Sequence, residues 1–285
     1  MWGVTALASS NLALSAIIAM HSLFTSNKPV IGMIHLDALP GTPASRLGVH
    51  EIETKALAEA KTYREAGVHA VAIENMHDTP YLRGGVGPEI TATMAVIARA
   101  VKDVTGLPTG VQVLAGANIE ALAVALAAGL DFVRVEGFAF AHVADEGILE
   151  SSAAPLLRYR RQIGVEHVQV WADVKKKHSS HAITGDISIG ETAHAAEFMR
   201  ADAVIVTGTV TGDAPRTGDI DAVQAACSIP VILGSGVTAE NLPEFYARAD
   251  GFIVGSYFKA GGVWSNALDP KRIERFMAAH AQLGG

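Results

Sequence analysis

The chain is poor in the residues that staple or charge a protein. Cysteine occurs once in 285 residues, at Cys227, which excludes a disulfide framework and a thiolate metal cluster and fits the reducing cytoplasm, the expected compartment. Basic side chains are outnumbered, 22 Lys and Arg against 29 Asp and Glu for a formal charge of −7, and no stripe of them is interleaved with aromatics. Attraction to nucleic-acid phosphates is thereby lost, so nucleic acid is not an expected partner. Charged residues make up only 18% of the chain and hydrophobic ones 49%, a balance that excludes disorder and requires a large buried core. No low-complexity linker or shift in composition divides the sequence.

Charge is missing altogether from the first 27 residues, and the first basic side chain is Lys28. A secretory signal needs its basic residues ahead of the apolar stretch rather than behind it. The apolar span from Leu12 to Phe24 is also short for a membrane helix, and Asn11, His21 and Ser22 bound or interrupt it, so membrane insertion is not expected. Residues 1–27 read as an N-terminal extension, either a helix capping the floor of the domain or an over-long start ahead of Met20. Residues 28–285 read as one domain.

Apolar runs of strand length alternate with stretches of helical period, the signature of βαβ units and a parallel sheet. The expected strands are Val30–His35, Ala70–Asn75, Thr109–Leu114, Phe132–Glu136, Val168–Asp173, Ala203–Thr207, Val231–Gly234 and Phe252–Gly255. The expected helices are Glu51–Ala66, Glu89–Val104, Ile119–Ala128, Ala153–Ile163, Ile189–Met199, Ile220–Ala226, Ala239–Ala247 and Pro270–Ala279. Eight such pairs predict an α/β fold, a single (β/α)8 TIM barrel. A doubly wound sheet is the rival, disfavoured because no Gly-x-Gly-x-x-Gly follows the first strand. Longer polar, glycine-bearing connections follow the strand C-termini, the face where barrels place their chemistry.

Those strand ends carry His35, Asp37, Glu74, Asn75, Gln112, Arg134, Glu136, Asp173 and Thr207. Polar groups ending apolar strands cost stability unless they pair or line a cavity mouth. Glu74 and Asp173 are candidates for proton transfer, with structural pairing to Arg134 the alternative. His35 is an acid/base candidate or a structural histidine. In Asp173-Val174-Lys175-Lys176-Lys177-His178, a lysine could neutralise a phosphate or form a Schiff base if its ammonium is desolvated; Lys176 reads as a solvated loop residue. His178 and His181 with Asp173 or His35 form the weaker alternative of a divalent-metal site, without any tight ligand spacing. No cofactor is predicted.

Two late glycine turns, Gly234-Ser235-Gly236 and Gly255-Ser256, close the seventh and eighth strands. Backbone without side chains, followed by helix starts, can approach an anion, and barrels bind phosphate at these two exits. Thr207-Gly208 can add hydroxyl and amide donors.

Taken in order, Ile31-Gly32-Met33-Ile34-His35-Leu36 with Leu39-Pro40-Gly41, Val71-Ala72-Ile73-Glu74-Asn75-Met76 with Pro80-Tyr81, Phe132-Val133-Arg134-Val135, Ala172-Asp173-Val174 with Lys177-His178, Val204-Ile205-Val206-Thr207-Gly208, Leu233-Gly234-Ser235-Gly236-Val237-Thr238 and Asp250 through Ser256 resemble the BtpA/SgcQ family from Lys28 to about Phe276. The resemblance implies a phosphate-binding TIM barrel and two functional expectations. One is an enzyme of sugar metabolism, a lyase, isomerase or hydrolase on a phosphorylated sugar or nucleoside-like metabolite. The other is an assembly factor linked to photosystem I biogenesis. It adds Lys177 and His178 to Glu74, Asp173 and His35 as the catalytic set. The expected substrate and phosphate ligands are Asn75, Arg134, Thr207, Gly208, Gly234, Ser235, Gly236, Gly255 and Ser256. Gln112 and Ala115-Gly116-Ala117-Asn118 stand where relatives commonly carry an asparagine before Val-Leu and an Arg-Asn-Asp run, and Glu136-Gly137 replaces the usual asparagine-rich turn, so substrate choice is expected to differ. Assembly into a homo-oligomer stays open.

Overall fold

The computed structural model describes residues 26–208 and 210–284 and, ahead of them, Leu14, Ala16, Ile18, Met20 and Ser22 to Phe24. The expected extension over residues 1–27 therefore falls largely outside the described residues. Eleven strands are present among them: β1 Val30–His35, β2 Ala70–Glu74, β3 Thr109–Gln112, β4 Phe132–Val135, β5 His142–Ala144, β6 Gly147–Leu149, β7 Gln169–Val174, β8 Ser179–Ser180, β9 Ala203–Thr207, β10 Val231–Gly234 and β11 Gly251–Val254. The α-helices are α1 Val49–Glu65, α2 Pro88–Thr105, α3 Asn118–Ala128, α4 Ala153–Gln162, α5 Ile189–Phe198, α6 Thr217–Ala226, α7 Leu242–Tyr246 and α8 Pro270–Gly284. Eight parallel strands close in the order β1-β2-β3-β4-β7-β9-β10-β11, β11 returning to β1. The chain is a (β/α)8 TIM barrel.

Element boundaries follow local chemistry. Ser188 and Glu191 reciprocally cap α5, the Glu191 amide donating to Ser188 Oγ at 3.1 Å and the Ser188 amide to Glu191 Oε2 at 2.8 Å, which satisfies two otherwise orphaned donors. Gly129 ends α3 at φ +67°, a left-handed turn that glycine takes without a Cβ clash.

Successive strand residues face opposite sides of a sheet, and the burial pattern assigns the sides. Ile31, Met33, Ala70, Ala72, Phe132, Trp171, Ala203, Ile205, Ile232 and Ile253 pack together inside the barrel with Met20 and Phe24. Phe132 stacks on Trp171 with ring centroids 4.0 Å apart. Gly110 makes room for that stack, since a Cβ there would lie 2.1 Å from the Phe132 ring. The floor is thus filled with apolar side chains. The outward residues, among them Ile34, Ile73, Val111, Val133 and Leu233, pack under the helices.

One element escapes the alternating pattern. β5, β6 and β8 form a small antiparallel sheet in the order β6-β5-β8, joining the loops after β4 and β7. Its hairpin turns through Asp145-Glu146, with Gly147 at φ +109°. The signal was present as a glycine after two acidic residues, but three-residue strands are too short for periodicity to reveal.

Candidate active site

Continuing the inward alternation of the floor by one step reaches His35 on β1, Glu74 on β2, Gln112 on β3, Arg134 on β4, Asp173 on β7 and Thr207 on β9. On β10 and β11 the same step reaches Gly234 and Gly255. One interior layer at the C-terminal mouth therefore carries polar side chains on six strands and no side chain on two. The register supports this, pairing His35 with Glu74 and Glu74 with Gln112, and Thr207 with Gly234.

Arg134 and Asp173 form a two-pronged buried pair: Arg134 Nε donates to Asp173 Oδ2 and Nη2 to Oδ1, both at 3.1 Å. Asp173, expected as a proton carrier, is committed instead to holding this guanidinium. Arg134, expected to hold substrate charge, is neutralised by the same pair. Desolvation makes each charge dependent on the other.

Glu74 is different. It is 7% exposed, and its nearest partner is His35, whose Nε2 lies 3.5 Å from Oε2. Burial raises its pKa against the pull of Arg134 and Lys177. His35 Nδ1 contacts the Trp264 carbonyl at 3.2 Å. A carbonyl only accepts, so Nδ1 carries the ring proton. Burial, with Lys259 second, lowers the histidine pKa to about 3, leaving Nε2 as a lone pair turned toward Glu74. Burial thus shifts both partners toward their neutral forms.

Lys177 follows β7 and is half-buried. Burial, then Arg134, lowers its pKa, while Glu74, Asp173 and Glu136 oppose the shift. Among the described residues no hydrogen bond or ion pair reaches its amine. Its two neighbours are engaged: Lys175 Nζ donates to the Ile187 carbonyl at 2.5 Å, and Lys176 Nζ lies 2.9 Å from Glu136 Oε2 and 3.8 Å from Glu146 Oε1. Lys176 is therefore a half-buried ion-pair member and not the solvated loop residue expected from three consecutive cations. Gln112 Nε2 completes this group by donating to Glu136 Oε1 at 3.0 Å. Gln112 Oε1, Glu146 Oε2 and His142 Nε2 are buried without a hydrogen-bond partner, while Glu136 Oε2 has the Lys176 ammonium 2.9 Å away. Glu146 and His142 come from the small antiparallel sheet and were not legible as site residues.

Two other expected residues bond to the scaffold or to a neighbouring loop. Asn75 bonds to the scaffold, donating to Asp78 Oδ2 at 2.8 Å and accepting from the Leu114 amide at 2.8 Å. His178 is exposed, and its Nε2 accepts from the Thr211 amide at 3.1 Å. It ties the loop after β7 to the loop after β9 rather than entering the bowl. Among the described residues no set of three or more His, Cys, Asp or Glu side chains is arranged to hold a metal ion.

The late turns face the same mouth but are partly covered. A Cβ on Gly236 would lie 2.1 Å from the Asp213 backbone, and one on Gly208 would lie 2.2 Å from the Asp213 carbonyl. The Gly212 amide donates to Ser235 Oγ at 2.8 Å. These glycines are thus required by a loop packed against them, not only by an approaching anion. Beside this contact Thr207, Gly208, Asp213, Ala214, Arg216 and Asp219 line a cavity of about 330 Å³. Gly255 faces the His35 ring, 3.2 Å from a built Cβ to Cε1, and Ser256 opens a short 3-10 turn. Backbone at Lys175, His178 and Ser235 has positive φ, 50°, 55° and 70°, so strained non-glycine residues collect at this mouth.

An eight-stranded barrel with a charged interior layer at its C-terminal mouth defines the protein by class as a TIM-barrel protein of the kind that builds its site from strand ends. The BtpA family model matches residues 26–282, and the chain belongs to the BtpA family. It is 46% identical to an uncharacterized mitochondrial protein of Caenorhabditis elegans over 91% of this chain and 96% of that one. It is 32% identical to the photosystem I biogenesis protein BtpA of Synechocystis, over 91% and 90% of the two chains. Solved structures share the fold: phosphoribosyl anthranilate isomerase from Thermus thermophilus at TM-score 0.55 and 18% identity, covering 90% of this chain and 99% of that one, and thiamine phosphate pyrophosphorylase from Pyrococcus furiosus at 0.56 and 16%, covering 91% and 98%. Among the described residues no helix is long and apolar enough to cross a membrane.

Proposed function

We propose that the protein is an enzyme acting on a phosphorylated sugar or nucleoside-like metabolite by proton transfer in the barrel mouth. The observation that carries this reading is the interior layer itself, charged on one side and reduced to glycine on the other. At Gly234 and Gly255 the layer carries no side chain of its own, and the turns that follow offer backbone amides to a phosphate. Glu74 carries the proton, with neutral His35 accepting from it. Lys177 faces the negative charge that develops on substrate, and the Arg134–Asp173 pair fixes the wall beneath it. Fold neighbours named for phosphorylated compounds make phosphate the first group to vary.

The test is thermal unfolding of the full chain with a panel of sugar phosphates and their unphosphorylated parents. A ligand that binds only the folded state at about a hundred times its Kd adds about 2.7 kcal/mol. The phosphate form should raise Tm and the parent should not. The stabilising compound is then assayed for turnover, and Glu74→Gln should lower the rate about a hundredfold or more while keeping the Tm rise. Equal stabilisation by the parent sugars would remove the phosphate anchor. The relative named for photosystem I biogenesis supports a second reading, a barrel used as an assembly platform. No turnover together with co-purification of membrane complexes would favour it.

A further inference from the structure

Beside the mouth, between α1 and the segment that follows β11, lies a cavity of about 400 Å³. Aliphatic side chains of Ile34, Leu36, Ile52, Ala56 and Leu268 form much of its wall. Set among them is one ion pair: Lys259, only 2% exposed, donates from Nζ to Glu59 Oε1 at 2.6 Å. The other oxygen, Glu59 Oε2, is buried without a hydrogen-bond partner. A carboxylate kept only to clamp this segment to α1 would have both oxygens satisfied. Trp264 supplies an aromatic wall. The His77 ring lies 4.8 Å from it, tilted by 47°, and the His35 ring 6.1 Å from it, edge-on at 78°, so neither lies flat on the indole. His35 is the partition from the mouth. Its Nδ1 meets the Trp264 carbonyl at 3.2 Å on the cavity side, and its Nε2 lies 3.5 Å from Glu74 Oε2 on the other.

These groups select the chemistry of a ligand. The two lysines that line the cavity are already neutralised, Lys259 by Glu59 and Lys55 by Asp37 at 3.0 Å, so no unpaired lysine attracts a phosphate and a cation would face two ammonium groups. A sugar carries hydroxyls around its whole ring, and aliphatic walls would leave most of them unbonded. An aromatic heterocycle has apolar faces and forms hydrogen bonds only at its edge. On the Glu59–Lys259 pair an acceptor, Oε2, sits beside a donor, because the ammonium has three protons and gives one to Oε1. An aminated nucleobase presents the matching order, an exocyclic N–H next to a ring-nitrogen lone pair. We infer that this cavity binds a neutral, amino-bearing heterocycle of the nucleobase type, with its ring against Trp264, its amine donating to Glu59 Oε2 and its ring nitrogen accepting from Lys259 Nζ. The site goes beyond the reading of the mouth and requires no phosphate there.

The full chain is titrated by calorimetry with 9-methyladenine and 1-methylcytosine, and with 9-methylpurine, ribose and sodium phosphate for comparison. Both aminated bases should bind at a single site, and 9-methylpurine, which lacks the exocyclic amine, at least tenfold more weakly. Glu59→Gln should weaken the aminated bases at least tenfold. Ala267→Phe, at an exposed position lining the cavity, should block them while leaving the ion pair in place. Circular dichroism and Tm establish that both variants fold. Photolysis of 8-azidoadenine with the wild-type chain, followed by peptide mapping, depends on no variant. It should label α1 or residues 256–268, and excess 9-methyladenine should remove the label. No binding of either base, equal binding of ribose or 9-methylpurine, binding unchanged in both variants, or a label elsewhere overturns the site. Displacement of the bases by sodium phosphate would also overturn it, since the cavity would then be an anion site; bases that bind with phosphate present uphold it, whatever the mouth accepts.

Discussion

The two halves of the barrel mouth solve different problems with the same strand geometry. On β1 to β4 and β7 the last inward residue is His35, Glu74, Gln112, Arg134 or Asp173, and polar side chains fill the layer. On β10 and β11 it is Gly234 or Gly255, and the strand adds only backbone to the layer. The charged half is expensive to fold, because each buried group must find a partner or lose its charge. The glycine half costs little in desolvation but depends on a loop, residues 210–216, packed over Gly208 and Gly236. One half is therefore rigid through pairing, and the other is shaped by what lies on top of it.

Breaking the pair in the charged half should have the largest effect on stability. Arg134→Met leaves Asp173 buried without its guanidinium and should cost about 3–5 kcal/mol in urea unfolding. The double change Arg134→Met with Asp173→Leu should recover most of that loss, and failure to recover would mean that the pair also positions the surrounding layer. A smaller effect concerns pH. His35 titrates near 6.5 when unfolded and at about 3 when folded, so the unfolded state binds the extra proton between those values. The stability that His35 contributes is full above pH 6.5 and declines as pH falls toward 3, by about 2 kcal/mol between pH 7 and 5. Glu74 acts with the opposite sign: its raised pKa contributes stability below the unfolded carboxyl range that is lost as pH rises. Urea unfolding at the two pH values should show a smaller acid-side loss in His35→Gln than in the wild type. The smallest change belongs to the glycine half. Ser235→Ala removes the acceptor of the Gly212 amide and should cost about 1 kcal/mol, with hydrogen exchange increased at residues 210–216 and unchanged around Glu74.

Much of the architecture was legible because it is local. The expected strands Val30–His35, Ala203–Thr207 and Val231–Gly234 coincide with β1, β9 and β10, and the others differ at their ends by one or two residues. Boundaries shifted mainly where a polar residue such as Asn75 or Glu136 leaves the ladder to bond elsewhere. The short helix α7 begins at Leu242 rather than at Ala239 because Thr238 and Asn241 form a tight turn first, the Thr238 amide donating to Asn241 Oδ1 at 2.7 Å. The site was less legible. Asn75 and His178 have the composition of ligand residues but bond to distant backbone. Lys176 reads as solvated until β5 and β6 bring Glu146 beside it.

The amino-acid order by itself determined the period of each element, the eight-fold repetition, and which strand positions face inward, since alternation and helix caps depend on neighbours a few residues apart. Tertiary structure alone decided which inward charges are paired and which are not. Arg134 meets Asp173 across 39 positions of chain, and His35 meets Glu74 only because β1 and β2 pair side by side in the barrel. Desolvation acts on the assembled mouth as a whole, so no single stretch of sequence contains it.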